Sequence, residues 1–166
     1  DDWLPIYTQL ENRPLRILHA PSHRKAKGTD ILLDVLDKLK LQGFEFELLL
    51  VEGVSNKEAR KMYEKADVLV DQLFAGWYGG LAVELMALGK PTIVYLRDED
   101  LKFIPVKMKE ELPFIRATSF NIEKVVKDVL EMPRQKLFVL AQQSRAYVEK
   151  WHDPVKIAFE IKNDYE

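Results

Sequence analysis

Residues 68 to 96 read VLVDQLFAGWYGGLAVELMALGKPTIVYL, and this stretch decides the fold. It opens with a strand-sized apolar run, and a second such run begins at Thr92. Between them, a glycine-containing loop leads into a largely apolar helical segment from Leu81 to Leu88, which Gly89 and Pro91 end. This order predicts a βαβ unit, in which the two strands are parallel and the helix covers one face of the sheet.

The same alternation continues toward both ends of the chain. Further strands are predicted over residues 15–20, 44–51 and 114–117, and a helix over residues 29–41. Ser55 and Glu58 form a capping box that begins another helix. Three more helices are predicted to begin near Asn121, Pro133 and Asp153. We therefore expect one α/β domain over residues 1–166, with a parallel sheet between two helical layers and C-terminal helices from about residue 121.

Composition excludes several classes of protein. The 166 residues are 47% hydrophobic and 31% charged, as in globular proteins. The net charge of −2 gives no argument for a nucleic-acid partner. There are no cysteines, which excludes disulfides, and no apolar run approaches the roughly 20 residues that span a bilayer. Because the chain opens on Asp1 without an initiator methionine, we interpret it as a piece of a longer protein.

The loop after the first predicted strand is basic and runs into a helix. It carries His23, Arg24, Lys25 and Lys27 just before Gly28. Ligands of open parallel sheets bind at the carboxyl ends of the strands, and a helix N-terminus favours anions. The position predicts a site for phosphate or diphosphate. A solvated basic loop is the alternative.

A second signal follows the third predicted strand. Gly79 and Gly80 precede an apolar helix in which Glu84 is the one charged residue. Glycines let a ligand approach the backbone, and a carboxylate four residues later points toward the same end of the helix. Glu84 is therefore a candidate to accept hydrogen bonds from ribose hydroxyls beside a phosphate. Alternatively, Glu84 is exposed or pairs with a lysine.

These motifs together resemble one family. Residues 78 to 91, YGGLAVELMALGKP, resemble the donor-site signature of the family-four retaining glycosyltransferases, which have the two-domain GT-B fold. Residues 27–30 resemble the phosphate-binding lysine segment of that family, and residues 63–68 resemble the segment that leads into its third strand. The likeness covers roughly residues 15 to 96 well and the C-terminal helices loosely. It implies that this chain is the Rossmann-like, donor-binding half and that the N-terminal acceptor domain is absent from it.

The resemblance also implies roles for individual residues. Lys27 would neutralise the donor diphosphate, the amides near Gly79 and Gly80 would contact the distal phosphate or the sugar, and Glu84 would bind the ribose. The base would lie near Glu52, Gly53 and Val54. The predicted phosphate-binding set is Arg24, Lys25, Lys27, Gly28, Gly79 and Gly80. No catalytic residue is assigned.

Two departures from the family pattern put the sugar contacts in doubt. Gly76 stands where the family often has a glutamate, eight residues before Glu84, and Pro21 stands where it often has an arginine. Arg24 or Lys25 could replace that arginine, and Asp71 or Gln72 could supply the sugar contact. The candidates for sugar or base contacts are His19, His23, Gly53, Val54, Asp71, Gln72 and Tyr78. For His19 a satisfied core position is the alternative, and for Tyr78 it is packing under the loop.

The resulting expectation is a glycosyltransferase donor domain that binds a nucleoside-diphosphate sugar as substrate, with no bound metal and no cofactor, and that is inactive without its missing half. We expect a cytoplasmic protein, for which any association with a membrane surface would come through that half. The alternatives are a nucleotide-sugar epimerase with the same architecture and an inactive nucleotide-binding module. A receiver domain would use Asp71 as phosphoacceptor, but it would also need acidic residues where the first loop is basic.

Overall fold

The structure, a computed structural model, describes residues 3–7 and 13–165. Within them, one sheet contains the strands β1 (Leu15–His19), β2 (Phe46–Leu50), β3 (Val68–Val70), β4 (Thr92–Val94) and β5 (Ile115–Arg116). The helices are α1 (Arg24–Lys27), α2 (Thr29–Leu41), α3 (Asn56–Lys65), α4 (Gly80–Ala87), α5 (Val106–Glu110), α6 (Ile122–Leu130), α7 (Arg134–Trp151) and α8 (Pro154–Asp164).

The sheet has the strand order β2-β1-β3-β4-β5, and every pairing is parallel. After β1 the chain crosses to β2 on one side, whereas after β3 it crosses to β4 on the other side. Because β1 and β3 are neighbours in the sheet, the loops that leave them turn in opposite directions. This divergence opens a crevice at the carboxyl edge, which is where open α/β sheets bind ligands.

Alternate residues of the strands pack against helices on opposite faces. Ile17, Val68 and Val70 lie in a core with α2 and α6, while Leu18 and Leu69 lie in a second core with α3, α4 and α7. Successive strand side chains point to opposite faces, so a sheet covered on both sides needs apolar residues at nearly every position. The predicted three-layer α/β architecture is confirmed.

Helix boundaries follow the capping signals closely. Ser55 and Glu58 form the capping box of α3, and Asp153 caps α8 with Pro154 at its first position. The predicted helix over residues 29–41 is α2. The sequence interpretation missed α1, α5 and a 3-10 turn at Asp100–Phe103, because short helices in charged segments carry no apolar period.

The segment 3–7 packs along the amino edge of the sheet. The Ile6 amide donates to the Leu88 carbonyl at 2.9 Å, and the buried Lys90 ammonium donates to the Ile6 carbonyl. The Arg60 guanidinium lies 3.7 Å from the centre of the Trp3 ring. A helix long and apolar enough to cross a membrane is not found among the described residues.

Candidate functional site

The loop after β1 folds into a short helix that presents Lys27 to the crevice. His23 caps α1 by accepting a hydrogen bond from the Ala26 amide, and Gly28 ends the helix with a left-handed φ of 76°. A Cβ on Gly28 would lie 3.0 Å from the Leu73 Cβ, so only glycine allows the loops after β1 and β3 to approach this closely. The Nδ1 atom of His23 is thereby engaged in capping, and the ring stays exposed.

Lys27, Asp71 and Gly79 meet at the switch point between β1 and β3. The Lys27 ammonium lies 2.7 Å from one Asp71 carboxylate oxygen, and the Gly79 amide donates to the other at 3.2 Å. Asp71 is fully buried, whereas the Lys27 side chain keeps 19% of its exposure. The sequence predicted that Lys27 and the glycines share one edge, and the structure brings them into direct contact through Asp71.

Asp71 therefore links Lys27 to the start of α4. Because its carboxylate is buried and paired, the expectation that it contacts the sugar is corrected: it fixes the Lys27 ammonium beside the start of α4. The same burial weakens the receiver-domain alternative, which requires a phosphoacceptor open to solvent. Across the described residues, no group of three or more acidic or histidine side chains could hold a metal ion.

Gln72 is the internal support of the glycine-containing loop. Its side-chain oxygen accepts from the amides of Phe74 and Ala75 at 3.0 and 2.6 Å, and its side-chain nitrogen donates to the Trp77 and Tyr95 carbonyls. All of its hydrogen-bonding groups are engaged within the protein, and 1% of the residue is exposed. The prediction of a sugar contact at Gln72 is therefore also corrected to a structural role.

A cavity of about 310 Å³ lies at the carboxyl edge of the sheet. It is lined both by the residues predicted to lie near the base and by the residue predicted to bind the ribose. Its lining includes Glu52, Gly53, Val54, Tyr63 and Glu84. These residues come from the loop after β2 and from α3 and α4, which only the tertiary fold brings together. The volume is at the lower end of the range for small-molecule sites.

Glu84 is an exposed carboxylate that borders this cavity. It makes no hydrogen bond or ion pair of 4 Å or less with the described part of the chain. Although the residue is largely exposed, burial of part of its surface raises the pKa of the Glu84 carboxyl, and the nearby Arg60 charge opposes that change. The geometry is that of a carboxylate available to hydroxyl donors. The lysine-paired alternative finds no support among the described contacts.

Three larger cavities lie elsewhere among the described residues, and one of them, of about 430 Å³, lies between residues 110–113 and α7. Another of about 440 Å³ lies between the loops after β4 and β5, and a groove of about 640 Å³ is bordered by Trp3, α4, α7 and the start of α8. The groove is larger and shares Glu84 with the smaller cavity, but no residue of the loops that follow β1 and β2 lines it, whereas both of those loops line the smaller cavity. The smaller cavity lies at the edge where open parallel sheets bind ligands.

The remaining basic residues of the first loop are placed differently from Lys27. The Arg24 guanidinium pairs with Glu52 at 2.7 Å and lies 3.5 Å from Asp30, so it takes no part in the contact between Lys27 and Asp71. Lys25 is exposed on α1. Arg24 therefore borders the predicted base region, and its charge is already compensated there.

His19 and Tyr78 are interior residues. The two His19 ring nitrogens lie 2.8 Å from the Val70 carbonyl and 2.9 Å from the Thr29 hydroxyl, and burial lowers its pKa. The Tyr78 hydroxyl contacts the Tyr147 hydroxyl at 3.1 Å and the His152 ring at 3.0 Å. Both positions agree with the structural alternatives, so we no longer place either residue among the sugar or base contacts.

The sequence interpretation assigned no role to Tyr63, which lines the cavity, or to Arg97, which lies against the glycine-containing loop. The Arg97 amide donates to the Gly76 carbonyl at 2.8 Å, and its guanidinium nitrogens lie 3.1 Å from where a Gly76 Cβ would be. Gly76 has a φ of 79°, which glycine adopts without strain. The glycine at position 76 was the sequence feature that could have indicated this contact, because the missing side chain leaves room for one from another loop, here Arg97.

No family model matches this chain, and no curated protein matches it. Among solved structures, sucrose-phosphate synthase from Thermosynechococcus elongatus superposes with a TM-score of 0.65 at 16% identity, over 95% of this chain and 46% of its own. TarM of S. aureus superposes with a TM-score of 0.63 at 13% identity, over 95% and 38%. The C-terminal domain of a glycosyl transferase group 1 family protein, LpcC from Francisella tularensis, gives 0.56 at 14% identity, over 90% and 88%.

These neighbours are GT-B glycosyltransferases, and the comparison establishes the fold. The chain has the Rossmann-like α/β fold of the C-terminal half of a GT-B protein. It spans less than half the length of the first two neighbours but most of the isolated C-terminal domain.

Proposed function

We propose that this chain is the donor-binding half of a glycosyltransferase that takes a nucleoside-diphosphate sugar as substrate. The observation that carries the proposal is the carboxyl edge of the sheet, where Lys27 and the Gly79 amide meet at Asp71 and the following helix α4 supplies Glu84 to a cavity lined by residues 52–54. A base near residues 52–54, a ribose at Glu84 and phosphates at Lys27 would follow one another along this edge. One TarM structure holds UDP, and a similar starch synthase structure holds ADP, as the proposal expects for this fold.

Transfer itself is expected to need a second domain. The chain spans 46% of the sucrose-phosphate synthase chain and 38% of the TarM chain, and its crevice is open along one side. We propose that an N-terminal acceptor domain closes the crevice and that the complete enzyme is a cytoplasmic, family-four-type retaining transferase that builds a polysaccharide or other glycoconjugate without a bound metal. Any contact with a membrane surface would come from that domain.

Calorimetric titration with UDP, GDP, ADP and their sugars tests this function. The expected result is saturable binding of at least one diphosphate, with no transfer to a glycan or lipid acceptor by this chain. Absence of binding to the whole panel would contradict the donor-site assignment. Interconversion of a bound nucleotide sugar without acceptor would identify the epimerase alternative, and efficient transfer would show that no further domain is needed.

Glu84→Gln is expected to weaken binding of the nucleotide found in that panel by about 1–3 kcal/mol, because the amide loses the charge and one acceptor for ribose hydroxyls. Glu84 is exposed, so the free energy of unfolding should stay within about 0.5 kcal/mol of wild type. The penalty should be smaller for the 2′-deoxy nucleotide, which lacks one of the hydroxyls. Glu149→Gln, an exposed change across the neighbouring groove, is the matched control. Equal losses for both nucleotides would refute the ribose assignment.

A further inference from the structure

The basic side chains at the carboxyl edge of the sheet differ in how closely a carboxylate is paired with each of them. Lys27 is paired with Asp71 and Arg24 with Glu52, each at 2.7 Å. Arg97 has a looser ion pair, with Asp100 at 3.7 Å, and its side chain is 48% exposed. A diphosphate brings concentrated negative charge, and the tight pairs leave little net positive charge at Lys27 and Arg24 to meet it. Of these three cations, Arg97 is the least committed to another partner.

The backbone fixes Arg97 beside the phosphate position. Its amide is bonded to the Gly76 carbonyl, and its guanidinium lies over the face of Gly76 that has no side chain. Gly76 is three residues before Gly79, a span of at most about 10 Å. A Cβ on Gly79 would lie 3.9 Å from the Lys27 ammonium. The Arg97 guanidinium and the Lys27 ammonium therefore lie against the same short loop, one at Gly76 and the other at Gly79.

We propose that Arg97 binds the distal phosphate of the donor and so selects nucleoside diphosphates over monophosphates. This assignment rests on the proposed donor function. The base cavity lies on the β2 side of Lys27, whereas Arg97 follows β4 on the other side of β3. A nucleotide that starts in the cavity and crosses Lys27 would place its second phosphate, rather than its first, nearest Arg97. The planar guanidinium suits two phosphate oxygens at once.

The test compares diphosphate with monophosphate affinity, using whichever of UDP, GDP or ADP binds, together with UMP, GMP or AMP. Arg97→Gln should weaken diphosphate binding about tenfold and leave the monophosphate unchanged. Arg97→Lys should retain part of the discrimination, because the charge remains. Arg116→Gln is the control: Arg116 has the same 48% exposure and lies in the next strand, but it is paired with Asp98 at 2.7 Å.

The outcomes separate this proposal from the function on which it rests. A wild-type protein that binds none of the nucleotides overturns the proposed function. Wild-type binding with the same ratio of diphosphate to monophosphate affinity in Arg97→Gln overturns the Arg97 assignment alone. A parallel loss for both nucleotides also overturns it, because that result indicates a role in loop structure. A selective loss of diphosphate affinity, with Arg116→Gln unchanged, supports it.

Discussion

Lys27→Ala is expected to destabilise the domain by about 3 kcal/mol as well as to impair nucleotide binding. Removal of the ammonium leaves the fully buried Asp71 carboxylate with one oxygen unpaired. Breaking a buried ion pair from one side costs about 3–5 kcal/mol, and the residual exposure of Lys27 favours the lower end. Urea denaturation measures the change. Lys25→Ala, in the same short helix and exposed, should stay within about 0.5 kcal/mol of wild type.

A double variant separates the structural role of Lys27 from phosphate binding. In Lys27→Ala with Asp71→Asn, no buried charge remains, and the asparagine oxygen can still accept from the Gly79 amide. Most of the lost stability should return, while diphosphate affinity should remain low because the ammonium N–H groups that donate hydrogen bonds to phosphate are absent. Wild-type affinity in the double variant would show that Lys27 does not bind phosphate. Unchanged stability of Lys27→Ala would show that the pair does not hold the two loops together.

The second large effect is a rise in stability between pH 8 and pH 10 that comes from Lys90. Lys90 is 1% exposed and donates to the Ile6 carbonyl. Burial lowers the pKa of its ammonium from 10.5 to about 8; Asp67 and Glu64 oppose the change, and Arg13 adds to it. At 1.36 kcal/mol per pKa unit, this difference corresponds to about 3 kcal/mol.

The direction of this pH dependence follows from the number of protons that the folded and unfolded states bind. Between about pH 8 and 10.5, the unfolded chain keeps the Lys90 proton that the folded protein has released. The unfolded state then binds more protons, so the free energy of unfolding rises with pH. Burial raises the pKa values of Tyr63, Tyr78 and Tyr147, which reverses the trend only above pH 10.

Urea denaturation at pH 8, 9 and 10 measures the rise, which should amount to about 2–3 kcal/mol over this range. Lys90→Met should remove most of the pH dependence, because methionine fills similar space without a titrating group. Lys124→Met, at a side chain that is 77% exposed, is the control and should keep the wild-type slope. If the free energy of unfolding still rises with pH in Lys90→Met, groups other than Lys90 cause the rise.

The sequence predicted the elements well because their signals are local. Apolar runs bounded by Gly89 and Pro91, the Ser55–Glu58 capping box and the Asp153–Pro154 start each depend on residues a few positions apart. Alternating strands and helices of this size also favour a parallel sheet with its ligand edge at the carboxyl ends. The positions of Lys27, Gly79 and Glu84 near one another at that edge followed from these local signals.

Only the tertiary structure decided which charges meet. The order β2-β1-β3-β4-β5 places β3 beside β1, and Asp71 is thereby buried between Lys27 and the Gly79 amide. The same packing buries Gln72 under its own loop and brings Arg97 over Gly76 from 21 residues away. Hydrogen bonds and ion pairs between distant loops depend on strand order and on the depth at which each carboxylate or amide is buried. The spacing of residues along the sequence specifies neither strand order nor depth of burial. The sequence by itself therefore determined the fold and the edge of the sheet at which a ligand is expected. Packing determined which partner each polar side chain has at that edge.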